Sequence, residues 1–401
     1  MSSVDFEKVS GLVDVPENAA KLLSRAERQQ ILTLTLRTGH DEVLFADAYV
    51  VYYNTSRGPA KGGIRISPAV TLEETIDLAE RMVWKTALVK IPFGGGKSGI
   101  CVDAEKLDMF VRTGLMHEFV HLIYADLEDG AYIPAPDLGS RPSDMAAIYG
   151  QTHMTTSVTG KPPRVGGLPG RKEATGRGVA YSARRAIEDV LKQDITKTTV
   201  AVQGFGNVGS WAAQFLSDWG ARVVAVSDAQ AGYHNPKGLD IDALRASADR
   251  TGLIQESGNA ETISNDELLG LEADVLVPAA VENVLTAETA PKVKARLVVE
   301  GANGPTTPEA DEILESAGVV AVPDILANAG GVIASYIEWR NAKSGSITDR
   351  EEVFESLETV IGRAYDEVMA LAGSRKVSLR LAAQAVAVEE VVGAMQDRGW
   401  V

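Results

Sequence analysis

The chain has 401 residues, 45% hydrophobic and 23% charged, enough for an ample core and, at roughly 100–200 residues per domain, for two or three domains. Acidic residues outnumber basic ones 55 to 39, leaving a net charge of −16. That excludes nucleic acid and anionic membrane as main partners, since both require basic surface. The single cysteine, Cys101, excludes an internal disulfide framework and a multi-cysteine zinc site; it is expected to pack as a small apolar side chain, and no metal site is expected. The opening Met1-Ser-Ser-Val-Asp-Phe-Glu7 has no basic stretch followed by an apolar core, so no signal peptide is expected. No apolar run reaches the roughly 18–20 residues that cross a bilayer, and a cytoplasmic location is the expectation.

In chain order, Ile31-Leu-Thr-Leu-Thr-Leu36 alternates as a half-buried strand does, and Ala46 to Tyr53 reads as a second strand. Residues 71–90 read as a helix with Leu72, Ile76, Ala79, Val83 and Ala87 on one face. Lys85 falls opposite that stripe, so periodicity alone puts it in solvent. Next comes Ile91-Pro-Phe-Gly-Gly-Gly-Lys97-Ser-Gly-Ile-Cys101, read as a tight loop holding a crowded lysine. A crowded or buried lysine loses proton affinity and becomes a base. Lys61, in Arg57-Gly-Pro-Ala-Lys-Gly-Gly-Ile-Arg65, is read as a second lysine on a glycine-rich loop. If Lys61, Lys85 and Lys97 converge, they form a pocket for a dianion such as a dicarboxylate; the sequence does not show that they do. Asp103 to about Tyr124 reads as a further helix, followed by Pro- and Gly-rich punctuation from Pro134 to Gly167. Asp137, between Pro136 and Gly139, reads locally as a turn residue.

From about residue 175 the pattern becomes strand–helix–strand. Thr198 to Gln203 is a short β-branched run that leads into Gly204-Phe-Gly206-Asn-Val-Gly209, then a helix over Ser210–Trp219, then Arg222 to Ser227 and Asp228. This is the dinucleotide-binding fingerprint in its required context. The glycines permit a tight turn, close approach to the pyrophosphate and close helix packing, with Val208 inside the turn and the helix N-terminus facing the phosphates. Asp228 lies 19 residues past Gly209, where an acid binds ribose hydroxyls. It disfavours a 2′-phosphate, so NAD is expected, with NADP as the alternative. Apolar runs at Ala273–Val277, Leu297–Val299 and Val319–Val322, ended by Pro278, Gly301 and Pro323, supply further strands of the same doubly wound sheet. In the C-terminal region Val353, Phe354, Leu357, Val360, Ile361 and Ala364 form one apolar helix face.

Ordered motifs from Arg57 to Asn341 resemble those of the glutamate, leucine, phenylalanine and valine dehydrogenases. They are Lys61-Gly62-Gly-Ile-Arg65, Trp84-Lys-Thr-Ala87, Pro92-Phe-Gly-Gly-Gly-Lys97, Pro134-Ala-Pro-Asp-Leu-Gly139, Thr159-Gly-Lys-Pro162, Glu173-Ala-Thr-Gly-Arg-Gly178, the Gly204–Gly209 turn, Glu300-Gly-Ala-Asn-Gly-Pro-Thr-Thr307 and Asn328-Ala-Gly-Gly331. The resemblance implies an α/β fold: an N-terminal substrate and oligomerisation domain over 1–176, a Rossmann-type dinucleotide-binding domain over 177–364, a cleft between them, and a last helix over about 365–401 that returns to the first domain. It implies Lys97 as the catalytic lysine and Asp137 as the proton shuttle. Lys85 would bind an α-carboxylate; Lys61 and Ser335 a γ-carboxylate; Gly62, Ala135 and Val332 would line the pocket. Thr175, Asn207, Asn303 and Asn328 would contact cofactor. The implied reaction is NAD(P)-dependent interconversion of glutamate with 2-oxoglutarate and ammonium, in a homohexamer; a dehydrogenase of another amino acid of the Leu/Phe/Val type and a catalytically silent binding or regulatory subunit are the alternatives. A lysine and a serine at the side-chain end favour glutamate over leucine, because an unpaired buried ammonium is costly. The chain departs from the family pattern at Ala104, where proline usually follows the aspartate, and at Leu168, where serine is more usual; the first 55 residues match weakly.

Overall fold

The computed structural model describes residues 4–39, 42–255 and 260–401; Met1–Ser3, the start of the segment read for a signal peptide, lie outside the described residues. The chain forms two compact units. Unit one comprises residues up to Arg171 together with Val332–Val353 and Gln384–Val401; unit two comprises Lys172–Gly331 and Phe354–Ala383.

Unit one is built on a five-stranded sheet of β1 (Arg28–Arg37), β2 (Val43–Asn54), β3 (Ala60–Ile66), β4 (Gly94–Ile100) and β5 (Tyr132–Pro136) in the order β1-β2-β4-β3-β5. β1 runs antiparallel to β2 and β2 to β4, while β3 is parallel to both β4 and β5. The alternation in β1 resolves as read: Leu34 is buried while Ile31, Thr33 and Thr35 are exposed. One sheet face carries Leu34, Val50, Ile64 and Ile100 into a core with Leu115 and Phe119 of helix Met109–Leu122. Helix Leu72–Leu88 packs on the other face, capped by the Thr71 side chain accepting from the Glu74 amide.

Two glycine runs read as loops are strands. Gly94–Ile100 is β4 and Ala60–Ile66 is β3, both almost wholly buried. Glycine is a poor strand former in isolation, so propensity misses them. Packing explains them. A Cβ on Gly95 would lie 2.3 Å from Val83 Cγ2, and one on Gly99 2.9 Å from Thr75 Oγ1, both side chains of helix 72–88. The missing side chains let the helix sit directly on the strand. The helix read as starting at Asp103 starts at Met109 instead, with Asp108 as its cap. Asp103 turns the chain locally by accepting from the Glu105 amide, so Ala104 does not stand at a helix start. Cys101 is half-buried, its thiol 3.2 Å from the Pro68 carbonyl, and not fully packed away.

Unit two holds a seven-stranded sheet of β6 (Thr199–Gln203), β7 (Arg222–Ser227), β8 (Gly232–His234), β9 (Glu261–Ile263), β10 (Val275–Pro278), β11 (Leu297–Val299) and β12 (Val320–Val322), ordered β12-β11-β10-β6-β7-β8-β9. β12 through β7 are parallel; β8 and β9 form an antiparallel margin. The chain leaves β6 toward β7 on one side, and β10 lies on the other. The switch point of the sheet is therefore at the carboxyl end of β6, where such sheets bind ligands. Helix Asn207–Asp218 begins within the glycine turn, three residues earlier than read.

Helix Ala174–Ala186 belongs wholly to unit two. A Cβ on its Gly176 would lie 2.5 Å from Trp211 Cβ, and one on Gly178 3.1 Å from the Ala327 carbonyl. This packing puts the unit boundary at Arg171/Lys172, ahead of residue 176. Val332–Val353, read as part of the dinucleotide domain, belongs to unit one, and so does the end of the last helix from Gln384. Among the described residues no helix is long and apolar enough to cross a membrane.

Candidate active site

In unit one the strand periodicity of two puts Lys61, Gly63 and Arg65 of β3 on one face, with Lys97 of β4 beside them. Asp137 follows β5 directly. Its carboxylate pairs with Lys97 Nζ through Oδ2, while Oδ1 accepts from the Leu138 amide at 2.6 Å and stands 3.6 Å from Arg65 Nη2. The turn is held by Ser140 Oγ, which accepts from the Asp137 amide at 2.7 Å. It is anchored below by Arg112, whose guanidinium binds the Gly139 carbonyl at 2.6 Å and both oxygens of buried Asp144. Asp137 is thus both the turn residue and a member of the charged cluster.

The lysines do converge. Lys97 is 4% exposed, and burial is the main force pushing its pKa well below 10.5; the positive charges of Arg65, Lys85 and Lys61 add to it, while Glu74 opposes. Lys85 is buried, against the solvent position that helical periodicity assigned to it. The stripe reading fails here because helix 72–88 is covered on more than one side. Phe6 meets Trp84 edge-on at 5.9 Å, and the whole stretch Val83–Val89 is buried.

Lys61 is 1% exposed and donates to the Ile133 carbonyl at 3.1 Å. Burial lowers its pKa to about 7, assisted by Arg171 and Lys161 and opposed by Glu338. Glu338 lies on helix Gly330–Ser344, one turn after Ser335 and two after Val332, so the three share a face. All three are buried. Glu338 accepts from Lys161 Nζ at 2.7 Å and from the Gly160 amide at 2.8 Å. Arg171 adds a cation whose Nε is buried without a protein partner. Sequence reasoning missed Lys161, Arg171 and Glu338. The available signal was an acid at helical spacing from Ser335. Ala135 pairs with Gly63 across β3 and β5, and a Cβ on Gly62 would strike the Gly96 carbonyl at 1.7 Å, so only glycine fits there. Leu168, the departure from the family pattern, is buried.

In unit two the glycine turn fits a dinucleotide. Gly204 takes φ +91, closed to other residues, and its Cβ would meet Ala280 Cα at 2.6 Å. On Gly209 a Cβ would lie 1.8 Å from the Gly204 carbonyl, which is the close helix–strand packing the fingerprint requires. Gly206 has nothing within 4 Å of its Cβ position, so that face is open for a pyrophosphate. Asn207 ties the turn to the Lys172 carbonyl at 2.9 Å, and half-buried Thr175 starts the neighbouring helix. Asn328 donates to the Gly301 and Ala302 carbonyls and to Asn303 Oδ1 at 3.0–3.2 Å, leaving its own Oδ1 buried without a donor. A carboxamide N–H from a ligand would satisfy that acceptor. The loop bearing Asn303 is pinned by Glu300, which is fully buried and accepts from Arg380, Thr306 and the Asp324 amide. Asp228 uses Oδ1 for the Gln230 and Ala231 amides and Oδ2 for the Ile254 amide. It therefore shapes the loop after β7 as well as presenting an anion there.

A switch-point sheet with an open phosphate turn, in a chain that also buries a lysine–aspartate pair among cations, defines a dinucleotide-dependent oxidoreductase of anionic substrates. The comparisons with known proteins agree. The family model for Glutamate/Leucine/Phenylalanine/Valine dehydrogenase matches residues 166–399, and that for the Glu/Leu/Phe/Val dehydrogenase dimerisation domain matches 26–154. The chain is 43% identical to a glutamate dehydrogenase of Thermotoga maritima, over 100% of this chain and 97% of the relative. It is 40% identical to an NADP-specific glutamate dehydrogenase of Saccharolobus shibatae, over 98% and 94%. Its fold superposes with a TM-score of 0.92 on hetero-hexameric glutamate dehydrogenase of Thermus thermophilus in a leucine-bound form, at 34% identity over 98% of this chain and 95% of that one. The chain belongs to the Glu/Leu/Phe/Val dehydrogenase family.

Proposed function

We propose that this chain catalyses the reversible NAD(P)-dependent oxidative deamination of L-glutamate to 2-oxoglutarate and ammonium. The observation that carries the substrate choice is Lys61: a buried amine with one carbonyl partner, in a setting a γ-carboxylate completes and an aliphatic side chain would leave unpaired. Ser335 joins Lys61 at that end, with Gly62, Ala135 and Val332 as the wall. Lys85 takes the α-carboxylate.

A bound nicotinamide dinucleotide supplies a hydride acceptor for the substrate α-carbon. The rest falls to this chain's residues. Asp137 accepts a proton from the substrate amino group and returns it to the departing ammonia. Lys97, its proton affinity lowered by burial and like charge, takes a proton from the water that adds to the iminium carbon. The dry surroundings of Lys97 strengthen each of these contacts. In unit two, Gly204, Gly206, Val208 and Gly209 form the pyrophosphate turn, and Thr175, Asn207, Asn303 and Asn328 hold the remainder. Asp228 faces the ribose hydroxyls, and its charge supports NAD as the preferred cofactor. The relative from Saccharolobus is NADP-specific, so both cofactors belong in the assay. We further propose a cytoplasmic homohexamer; a chain with one cysteine suits a reducing compartment.

Initial rates, read by the absorbance of the reduced nicotinamide, test the proposal with glutamate, leucine, phenylalanine, valine and aspartate, each with NAD and with NADP. The expected result is turnover mainly with glutamate. Turnover mainly with an apolar amino acid would overturn the role of Lys61 and Ser335.

A further inference from the structure

Arg65 has no part in the chemistry above, yet it completes the charge set around Lys97. It projects from β3 two residues beyond Gly63, where a Cβ would lie 2.6 Å from Asp137 Cβ. Asp137 therefore sits directly on this strand. The Arg65 guanidinium pairs through Nη1 with Glu74, in the first turn of helix 72–88. Through Nη2 it stands 3.6 Å from Asp137 Oδ1, the oxygen that Lys97 does not hold. Its Nε is buried and has no hydrogen-bond partner. The charged groups facing Lys97 are Lys61 and Arg65 from β3, Glu74 and Lys85 from the helix, and Asp137 from the turn after β5.

We propose that Arg65 and Glu74 form a positioning pair for Lys97 and Asp137: Arg65 holds the Asp137 carboxylate from the side away from Lys97, and Glu74 anchors the guanidinium and offsets part of its charge. This rests on the reading that Lys97 and Asp137 carry the chemistry. The two members act with opposite sign. Removing the Arg65 cation takes a like charge from Lys97 and an opposite charge from Asp137, and both changes favour the protonated forms. Removing the Glu74 anion takes an opposite charge from Lys97 and favours its neutral form. The same signs appear in the environment of Lys97, where Arg65 is the strongest neighbouring charge lowering its proton affinity and Glu74 raises it.

The test compares pH profiles of kcat/KM for glutamate oxidation in Arg65→Gln, Glu74→Gln and Arg65→Lys. In Arg65→Gln the acid limb should move up by about one pH unit, a typical effect of a charge at this range. In Glu74→Gln it should move down, and Arg65→Lys should restore much of the shift. A merely structural role lowers the rate equally at every pH, and that result overturns the proposal. Carbamylation of Lys97 by cyanate, followed by peptide mass spectrometry across the same pH range, should show the same opposite shifts without needing turnover. Shifts in carbamylation without glutamate turnover would leave the pair standing and defeat the substrate reading. Wild-type turnover with unshifted variants would do the reverse. Should Arg65→Gln fail to fold, Glu74→Gln and Arg65→Lys still decide by sign and rescue.

Discussion

Lys61 decides substrate choice at the scale of a single residue. With its pKa lowered to about 7 by burial, the amine is largely neutral in the empty site above that pH, and a bound γ-carboxylate draws a proton onto it. Glutarate binding, measured calorimetrically above that pH in two buffers of different ionisation enthalpy, should show net proton uptake. The uptake should be smaller by up to about one proton in Lys61→Leu, since one titrating group has been removed. The same variant should lose glutamate kcat/KM by roughly a hundredfold or more, because a buried carboxylate is left unpaired. Unchanged turnover would sink the assignment. The sign also reaches stability. A lysine whose folded pKa lies below its unfolded value of 10.5 binds fewer protons when folded. Stability should therefore rise with pH from about 7 toward 10.5, as the unfolded chain gives up its extra proton.

Among the elements, the two glycine-rich ones contrast in what a methyl group would do. In β4, Gly95 lies beneath helix 72–88, and its Cβ would meet Val83 Cγ2 at 2.3 Å and the Ala79 carbonyl at 2.5 Å. Gly95→Ala should lower the melting temperature, by an overpacking cost of about 1–3 kcal/mol. In the phosphate turn the positions separate. Gly209→Ala collides with backbone at 1.8 Å and should destabilise unit two, whereas Gly206→Ala meets nothing within 4 Å. Gly206→Ala should melt like the wild type yet bind NADH roughly tenfold or more weaker, since the backbone no longer approaches the pyrophosphate. Calorimetric melting and NADH fluorescence titration on the same samples check both statements. A Gly206→Ala variant with wild-type affinity would remove the turn from the cofactor site.

For the whole molecule the open question is assembly. The outward face of β1 and β2 carries Ile31 at 67% and Phe45 at 66% exposure, inside the segment that matches the dimerisation-domain model. Apolar side chains this exposed, on the same face of the sheet and four residues apart along the ladder, suit a second copy of the chain. Phe45→Glu should lower the mass seen by light scattering while leaving NADH binding by unit two intact. An unchanged mass would move the interface elsewhere. The net charge of −16 opposes association, so the assembled form should gain from added salt.

What the sequence alone determined was the part governed by local rules. β-branched runs marked β6, β7, β10, β11 and β12, with glycine or proline ending all but β7, and the spacing of Gly204, Gly206 and Gly209 marked the phosphate turn, because those features follow from backbone geometry within a few residues. The motif matches named Lys97, Asp137, Lys61 and Ser335 through resemblance. Only the tertiary structure decided that Gly94–Ile100 and Ala60–Ile66 are strands, that Lys85 is buried, and that Lys97 pairs with Asp137 while Arg65 stands at the other oxygen. Only it revealed Lys161, Arg171 and Glu338 beside Lys61. The reason is common to all of these. Periodicity and propensity weigh one face of one segment against water, whereas a lysine's charge state and a glycine's conformation depend on what distant segments place against them.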